Sequence, residues 1–572
     1  MRRSSTGQNL SIITDRNSGR RRSLYDDRLL EDSNDEIDRL KSKVRKGKVN
    51  SQESELLPIE TIKSKIDDLD RNHQRTRLRK KKTHDKDKEK KDIQPESEEP
   101  EYRSHFGDIK FLETSTSIFD SSQFKESQFF GIYILFWLGT AFLIANNIMH
   151  AYLSNGKLFW QFEIVGILTR DIFKVALTDL IMYLTTYFAF GLQKMCAYGY
   201  INWQSTGWLL QASYDFFYLL FWTFFASPHF YGFPWIARVF LLLHSLVFLM
   251  KMHSYGFYNG YLWRITEELE FSEKYLKRCE DGDESLSEPD KTKIRETLVA
   301  SINFCKFELE QQSKTNFHCK DPNVLAETPP VNFPENITLF NWYEFTMFPT
   351  LVYTLNFPRT KQIRWKFVGE KVLAVFGIFV LMIIIAQNGM YPLVMVAKQS
   401  KKLPMITKIQ TYLLVLMDMI PHFLLQYLFT FFIIWEFILN TIAELSRFAD
   451  RDFYGPWWSC TDWGEFARIW NRPVHKFLLR HVYHSSISTI RLSKIQASLF
   501  TFVLSSLVHE LVMFCIFRTF RGYLLLFQLS QIPLMMISNT RFMRDKKVLG
   551  NCICWIGFIS GPSIICTLYL FF

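Results

Sequence analysis

From about residue 129 onward, long apolar runs alternate with shorter polar stretches. Nine of these runs reach or approach membrane-spanning length: 129–150, 172–193, 206–226, 232–253, 371–397, 410–440, 496–517, 522–538 and 549–571. About 20 apolar residues in a helix cross the hydrocarbon core of a bilayer. The pattern therefore predicts an all-α polytopic membrane protein of about nine transmembrane helices. The eighth run is short, and the sixth is long enough to tilt or to leave the bilayer. A polar stretch over 255–368 separates the fourth run from the fifth. Its first part, Glu267 to Lys314, has helical periodicity and reads as surface helices, and its second part, Asp321 to Pro334, is punctuated by proline. A second polar interruption, 446–494, is too polar to cross lipid and too aromatic for a solvated loop, which suits an interfacial or re-entrant element lining a cavity.

Composition adds a division that the averages hide. The 572-residue chain is 22% charged, and its mean hydropathy of −0.03 would pass for a soluble protein. The first 100 residues alone hold 26 Lys or Arg and 21 Asp or Glu, leaving 42 and 36 for the other 472. Residues 1–105 are nearly free of aromatics and cannot bury enough apolar surface to offset chain entropy, so they read as a disordered tail ahead of a catalytic body at 106–572. Within the tail, Arg79–Lys82 suits a membrane-surface patch and Arg20-Arg21-Arg22-Ser23 a kinase site, against the plainer reading of a solvated tail. The net charge of +11 is split between tail and body, and no single nucleic-acid-binding face is indicated. The nine cysteines are scattered without a CxxC, consistent with reducing surroundings.

Orientation follows from the basic loops. No apolar stretch follows Met1 closely enough to be a signal peptide, so the first membrane helix is expected to direct insertion. With the tail cytosolic, alternate crossing places 255–368, 446–494 and Arg541–Lys547 on the cytosolic side and Phe572 on the other. Lys398, Lys401, Lys402 and Lys408 then fall on the wrong side, which puts the boundaries near 398–410 in question. The sequons at Asn9 and Asn336 fall in segments read as cytosolic and are expected to be unmodified.

The residues that a bilayer should exclude carry the candidate chemistry. The run from Phe500 to Phe517 is apolar except for Thr501, Ser505, Ser506, His509 and Glu510. An ionisable group inside a membrane helix is a functional candidate, and Ser505 and His509, four apart, share a helix face. An imidazole satisfied by an interhelical hydrogen bond is the competing reading. In 446–494, Arg468, Arg472, Lys476 and Arg480 could meet phosphates while Trp and Tyr stack on a base; interfacial anchoring competes equally. Met513 stands where a zinc-protease helix needs its second histidine. His481-Val-Tyr-His484 is a single HxxH, weak as a metal site, and no phosphate-cradling or dinucleotide-binding glycine motif occurs.

Several stretches, taken in order and spacing, resemble one family. They are Asn356-Phe-Pro-Arg-Thr360, Ile363-Arg364-Trp365, Arg447-Phe-Ala-Asp450, Phe453-Tyr-Gly-Pro-Trp-Trp-Ser459, Trp470-Asn471, Val474-His475 and Ser505-Ser-Leu-Val-His-Glu510. Over residues 120–572 the chain resembles the membrane-bound O-acyltransferases, in particular their sterol O-acyltransferase branch and its yeast-type members. The resemblance implies His509 as catalytic base and Asn471 assisting in the same cavity. It implies an acyl-CoA site lined by Arg468, Trp470, Tyr483, Lys494 and Ser505, and a place for Asp450 near the sterol path. It implies no metal and no cofactor beyond acyl-CoA as co-substrate, an acceptor sterol such as ergosterol or a precursor, an endoplasmic reticulum location, and a homodimer or higher homo-oligomer. One departure matters. The family pattern FYxDWWN has Asp and Asn where this chain has Pro456 and Ser459, so Phe453, Tyr454, Trp457 and Trp458 are read as shape and packing residues.

The chemistry agrees with that assignment. Acyl transfer to a hydroxyl needs a base, an oxyanion donor and a cavity that excludes water, and a neutral imidazole in a membrane tunnel suits the base. The alternatives are a diacylglycerol acyltransferase of the same family and, outside enzymes, a lipid transporter or sterol-sensing protein. Transporters often show inverted repeats, and no such symmetry is visible here.

Overall fold

The computed structural model describes residues 111–155, 159–225, 231–280, 288–314, 321–326, 328–538, 540–544 and 546–572. The expected tail at 1–105, its basic patches and the Asn9 sequon lie outside the described residues. The described residues fall into two units, one holding those of 278–300 and the other those of 111–277 and 301–572. In the first unit the described residues 278–280 and 288–300 are helical.

The second unit is helical, and its described residues contain isolated bridges but no strand. Its chain order begins with α1 (Phe130–Asn155), α2 (Ile172–Thr185), α3 (Tyr187–Ala197) and α4 (Trp208–Phe225). There follow α5 (Trp235–Glu280), α6 (Glu288–Gln312) and α7 (Leu339–Met347). Next come α8 (Trp365–Ile385), α9 (Tyr391–Ser400), α10 (Met405–Phe431) and α11 (Leu439–Leu445). The chain closes with α12 (Trp463–Ile469), α13 (Arg472–Leu478), α14 (Lys494–Phe517), α15 (Tyr523–Leu529), α16 (Gln531–Ser538) and α17 (Lys547–Phe571).

Among the described residues, seven segments are long and apolar enough to cross a membrane: Phe130–His150, Glu163–Ala197, Trp235–Cys279, Trp365–Ser400, Met405–Leu445, Lys494–Phe517 and Lys547–Phe571. The two other expected spans are weaker. In α4 the buried face carries Gln211 and Asp215 beside Tyr218 and Trp222, which lowers its apolar character. The run at 522–538 is two short helices, α15 and α16. The span expected to end at 253 instead continues without a break as α5, 46 residues long and thus about 69 Å at 1.5 Å per residue. Hydropathy alone missed this because charged residues become frequent from Arg264 onward while the helix does not stop there. Nor is 255–368 a solvated loop. Tyr255, Tyr258, Trp342, Phe345, Phe348 and Tyr353 are fully buried and form one aromatic core with residues of 446–463.

Contacts of α17 fix which segments share an end. At its start, the Asn551 amide donates to the carbonyls of Trp458 (3.0 Å) and Cys460 (2.9 Å). At its finish, the Phe571 ring lies 5.5 Å from that of Tyr412, and Lys408 lies 4.8 Å over the ring of Phe572. The 446–494 segment and the chain's last residue are therefore at opposite ends of the bundle, and the Lys398–Lys408 loop shares the end of Phe572. The helices that flank this loop end at Ser400 and begin again at Met405. Asn336 is buried, and its Nδ2, the nitrogen a glycan would take, donates to Asn259 (2.8 Å) and Tyr353 (3.0 Å).

Candidate active site

The helix that carries His509 begins where its sequence dictates. Ser493 caps α14 by accepting from the backbone N–H of Gln496, and the Gln496 side chain accepts from the Ser493 N–H, a reciprocal capping box. His509 is the sixteenth residue of α14, about 22 Å along it. The ring is half-buried, and its Nδ1 lies 2.8 Å from the carbonyl oxygen of Ser505 one turn earlier. A carbonyl can only accept, so Nδ1 bears the proton and Nε2 keeps its lone pair. Ser505 thus meets His509 through its backbone. Glu510, the next residue, is fully buried on another face and accepts from the N–H groups of Gly522 (2.8 Å) and Leu525 (3.1 Å) and from the Tyr569 hydroxyl. That carboxylate ties α14 to the start of α15 and to α17.

Asn471 caps α13, its Oδ1 accepting from the N–H of Val474 at 3.3 Å. The oxygen being engaged, its Nδ2 hydrogens are the ones turned to other partners. Next to it, Trp470 stacks on Phe466 (5.6 Å, 14°) and meets Trp435 at 5.3 Å. Arg468 lies half-buried in the last turn of α12. From α13 the chain passes into a wide π-helical turn, Leu479–His484, that packs against α14. Such turns are frequent at functional sites. Tyr483 lies in that turn, and Lys494 stands in the first turn of α14.

Of the four basic groups offered to phosphates, three are held internally. Arg472 pairs with Asp452, Lys476 with Asp450 at 3.0 Å, and the buried Arg480 donates to the Tyr353 carbonyl at 3.2 Å. Their residue types suggested free cations; the carboxylates that neutralise Arg472 and Lys476 stand 20 or more residues earlier, in the segment 450–452. Asp450 itself lies in that ion pair. Arg447–Asp450 runs antiparallel beside Asn356–Thr360, with Thr360 N–H donating to the Arg447 carbonyl (2.9 Å) and Ala449 N–H to the Pro358 carbonyl (2.9 Å). Two stretches 90 residues apart in the chain are thus one structural feature. Arg451 and Arg364 both grip the buried Glu444, at 2.7 and 2.8 Å.

Phe453, Tyr454 and Trp457 are buried in the aromatic core, Trp457 within 5.0 Å of Phe431 and 5.6 Å of Phe558. The Trp458 carbonyl accepts from the Trp555 indole at 3.0 Å. Tyr454 donates to Glu436 at 2.6 Å, and the same carboxylate takes Lys371 (2.6 Å) and Ser117 (2.8 Å), with Asp120 on Lys371 at 2.7 Å.

A polar chain that sequence reasoning missed runs close by. Gln211 donates to Asp215 (2.7 Å), Asp215 pairs with His253 (3.2 Å), and the His253 ring meets that of His481 edge-on at 5.2 Å. Nε2 of His481 lies 2.9 Å from the Ser254 hydroxyl, which accepts from the Tyr353 N–H at 2.8 Å. Burial, with His253 and Arg480 nearby, pushes the His481 imidazole well below its usual range, so it is neutral. The signal available was a His253-Ser254 pair at the edge of an apolar run. Among the described residues, no three His, Cys, Asp or Glu side chains group as a metal site would require.

The model of the membrane-bound O-acyltransferase family matches residues 129–571. The chain is 49% identical to sterol O-acyltransferase 2 of Candida albicans, over 100% of both chains. It is 45% identical to sterol O-acyltransferase 2 of Saccharomyces cerevisiae, over 78% of this chain and 67% of that one. Diacylglycerol O-acyltransferase 1 of Bos taurus is 32% identical over 44% of this chain and 50% of its own.

Proposed function

The chain belongs to the membrane-bound O-acyltransferase family, and from that premise we propose that it transfers a long-chain fatty acyl group from acyl-CoA to the 3-hydroxyl of a sterol. The observation that carries the mechanism is the His509–Ser505 hydrogen bond, which leaves Nε2 as the basic nitrogen inside α14. Nε2 takes the proton of the sterol hydroxyl as its oxygen attacks the thioester carbonyl. The tetrahedral oxyanion collapses, the C–S bond breaks, and the proton on Nε2 passes to the departing CoA thiolate. Asn471 is the proposed oxyanion donor, through the Nδ2 that its cap leaves available.

CoA brings several negative charges, and Arg468 and Lys494 are the proposed partners for them, at the end of the bundle formed by 446–494. Trp470, Tyr483 and Ser505 complete the proposed acyl-CoA side, and no further cofactor is invoked. Asp450, paired with Lys476, acts on the sterol path by holding the segment that shapes it. A sterol rather than a diacylglycerol acceptor is favoured by the extent of the match to the fungal relatives against the partial match to the bovine one. Ergosterol or a precursor, residence in the endoplasmic reticulum with the tail cytosolic, and homo-oligomeric assembly belong to the same reading. The test is to express the chain in cells lacking sterol esterification and chromatograph the neutral lipids. Steryl esters that appear with the wild type and vanish with His509→Ala support the reading; triacylglycerol alone overturns the acceptor.

A further inference from the structure

Arg238, the fourth residue of α5, is only 4% exposed. Its side chain makes no ion pair or hydrogen bond among the described residues, and its Nε is fully enclosed without a partner. Among the described residues, the groups that act on its charge are the Arg518 guanidinium, which repels it, and the Cys515 thiol, with no carboxylate among them. Neither 216–266 nor 511–544 contains an Asp or Glu, so a carboxylate could come only from another part of the chain. The acid nearest in sequence to Arg518, Glu510, is engaged by Gly522, Leu525 and Tyr569. Arg518 caps the end of α14 in a left-handed conformation (φ 63°) and is exposed. Withdrawing a guanidinium from water without an opposite charge is strongly unfavourable, and crowding a second cation against it makes it worse.

We infer that Arg238 and Arg518 form a site for one phosphate group. A phosphate monoanion supplies the opposite charge and the acceptor oxygens that two guanidinium groups take. The site stands at the start of α5 and the finish of α14. The finish of α14 shares an end of the bundle with Phe572, because Phe517 stacks on Tyr569 at 5.0 Å. That end is opposite the proposed CoA-binding segment, so the site is separate from acyl transfer, and it lies where a span leaves the bilayer and lipid head groups begin.

The test uses the full chain, purified in detergent and stripped of lipid, with thermal unfolding followed for wild type, Arg238→Gln and Arg518→Gln. Phosphatidylglycerol, inorganic phosphate and diacylglycerol are the probes. Phosphatidylglycerol raises the wild-type midpoint and diacylglycerol does not, and each variant weakens the apparent affinity by about tenfold or more. Without lipid, Arg238→Gln is at least as stable as wild type, since it removes an unpaired buried charge. A shift with inorganic phosphate alone identifies a free ion as the source; a shift confined to phosphatidylglycerol identifies a head group. The inference is overturned if neither phosphate probe moves the wild type, or if both variants respond as the wild type does. Should Arg238→Gln not fold, Arg518→Gln, at an exposed position, decides between these outcomes.

Discussion

Nδ1 of His509 lies 2.8 Å from the backbone carbonyl oxygen of Ser505, so a main-chain atom sets the tautomer of the proposed base. General base catalysis typically contributes about 10²–10⁴-fold. His509→Ala is expected to lose turnover on that scale while its abundance in membranes is unchanged. Ser505→Ala keeps the carbonyl and is expected to leave the pH dependence of turnover where it was. Steryl-ester formation by microsomes, normalised to immunoblotted protein, checks both; a well-expressed His509→Ala protein with normal activity contradicts the assignment.

The ion pairs of Arg472 and Lys476, and the proposed role of Arg468 and Lys494 toward CoA, separate two kinds of variant. Lys494→Glu is expected to raise the KM for acyl-CoA with little effect on the sterol KM. Asp450→Ala leaves Lys476 without its carboxylate and is expected to cost about 1–3 kcal/mol of stability, with KM for acyl-CoA near normal in the folded fraction. Initial rates against each substrate, beside thermal unfolding of the same preparations, distinguish the two.

Glu436 is buried and joined to Lys371 at 2.6 Å, to Tyr454 and to Ser117. Removing one member of a buried ion pair strands the other, typically at about 3–5 kcal/mol. Glu436→Ala is therefore expected to unfold at markedly lower temperature than wild type. Changing Lys371 to Met in the same chain is expected to restore part of the loss. Both changes are read from midpoints in one detergent.

His481 supplies a pH dependence with a defined sign. Burial, His253 and Arg480 hold its pKa below the unfolded value, near 6.5. Between the two pKa values the unfolded chain binds the extra proton, so the contribution of His481 is full above about pH 6.5 and is lost as pH falls below it. Ser254, which faces it from α5, has no charge to oppose this, and the ring of His253, paired with Asp215, lies edge-on beside it. Thermal midpoints between pH 7.5 and 5.5 are expected to fall for wild type and to fall less for His481→Gln. Parallel curves would remove His481 as the cause.

Much of the architecture was legible from local pattern. Runs of apolar residues have one inexpensive fate in a chain of this kind, so the apolar segments, the helix around His509 and its four-residue relation to Ser505 could all be read in advance. Helix ends were less legible. Trp235–Glu280 continues through charged turns because backbone hydrogen bonding persists where apolar character does not. Pairings were not legible at all. Nothing near Arg472, Lys476 or Arg480 in the chain announces Asp452, Asp450 or the Tyr353 carbonyl as its partner.

By itself, then, the sequence determined that this is a helical membrane protein with a histidine where lipid should tolerate none, and its motifs determined the family. Tertiary structure decided which ring nitrogen of His509 is free, which cations are already neutralised, and that Arg238 is not. The reason is physical. Periodicity and composition report how each segment meets water or lipid, whereas charge compensation and tautomer depend on atoms brought within about 3 Å by packing, often from residues far apart in the chain.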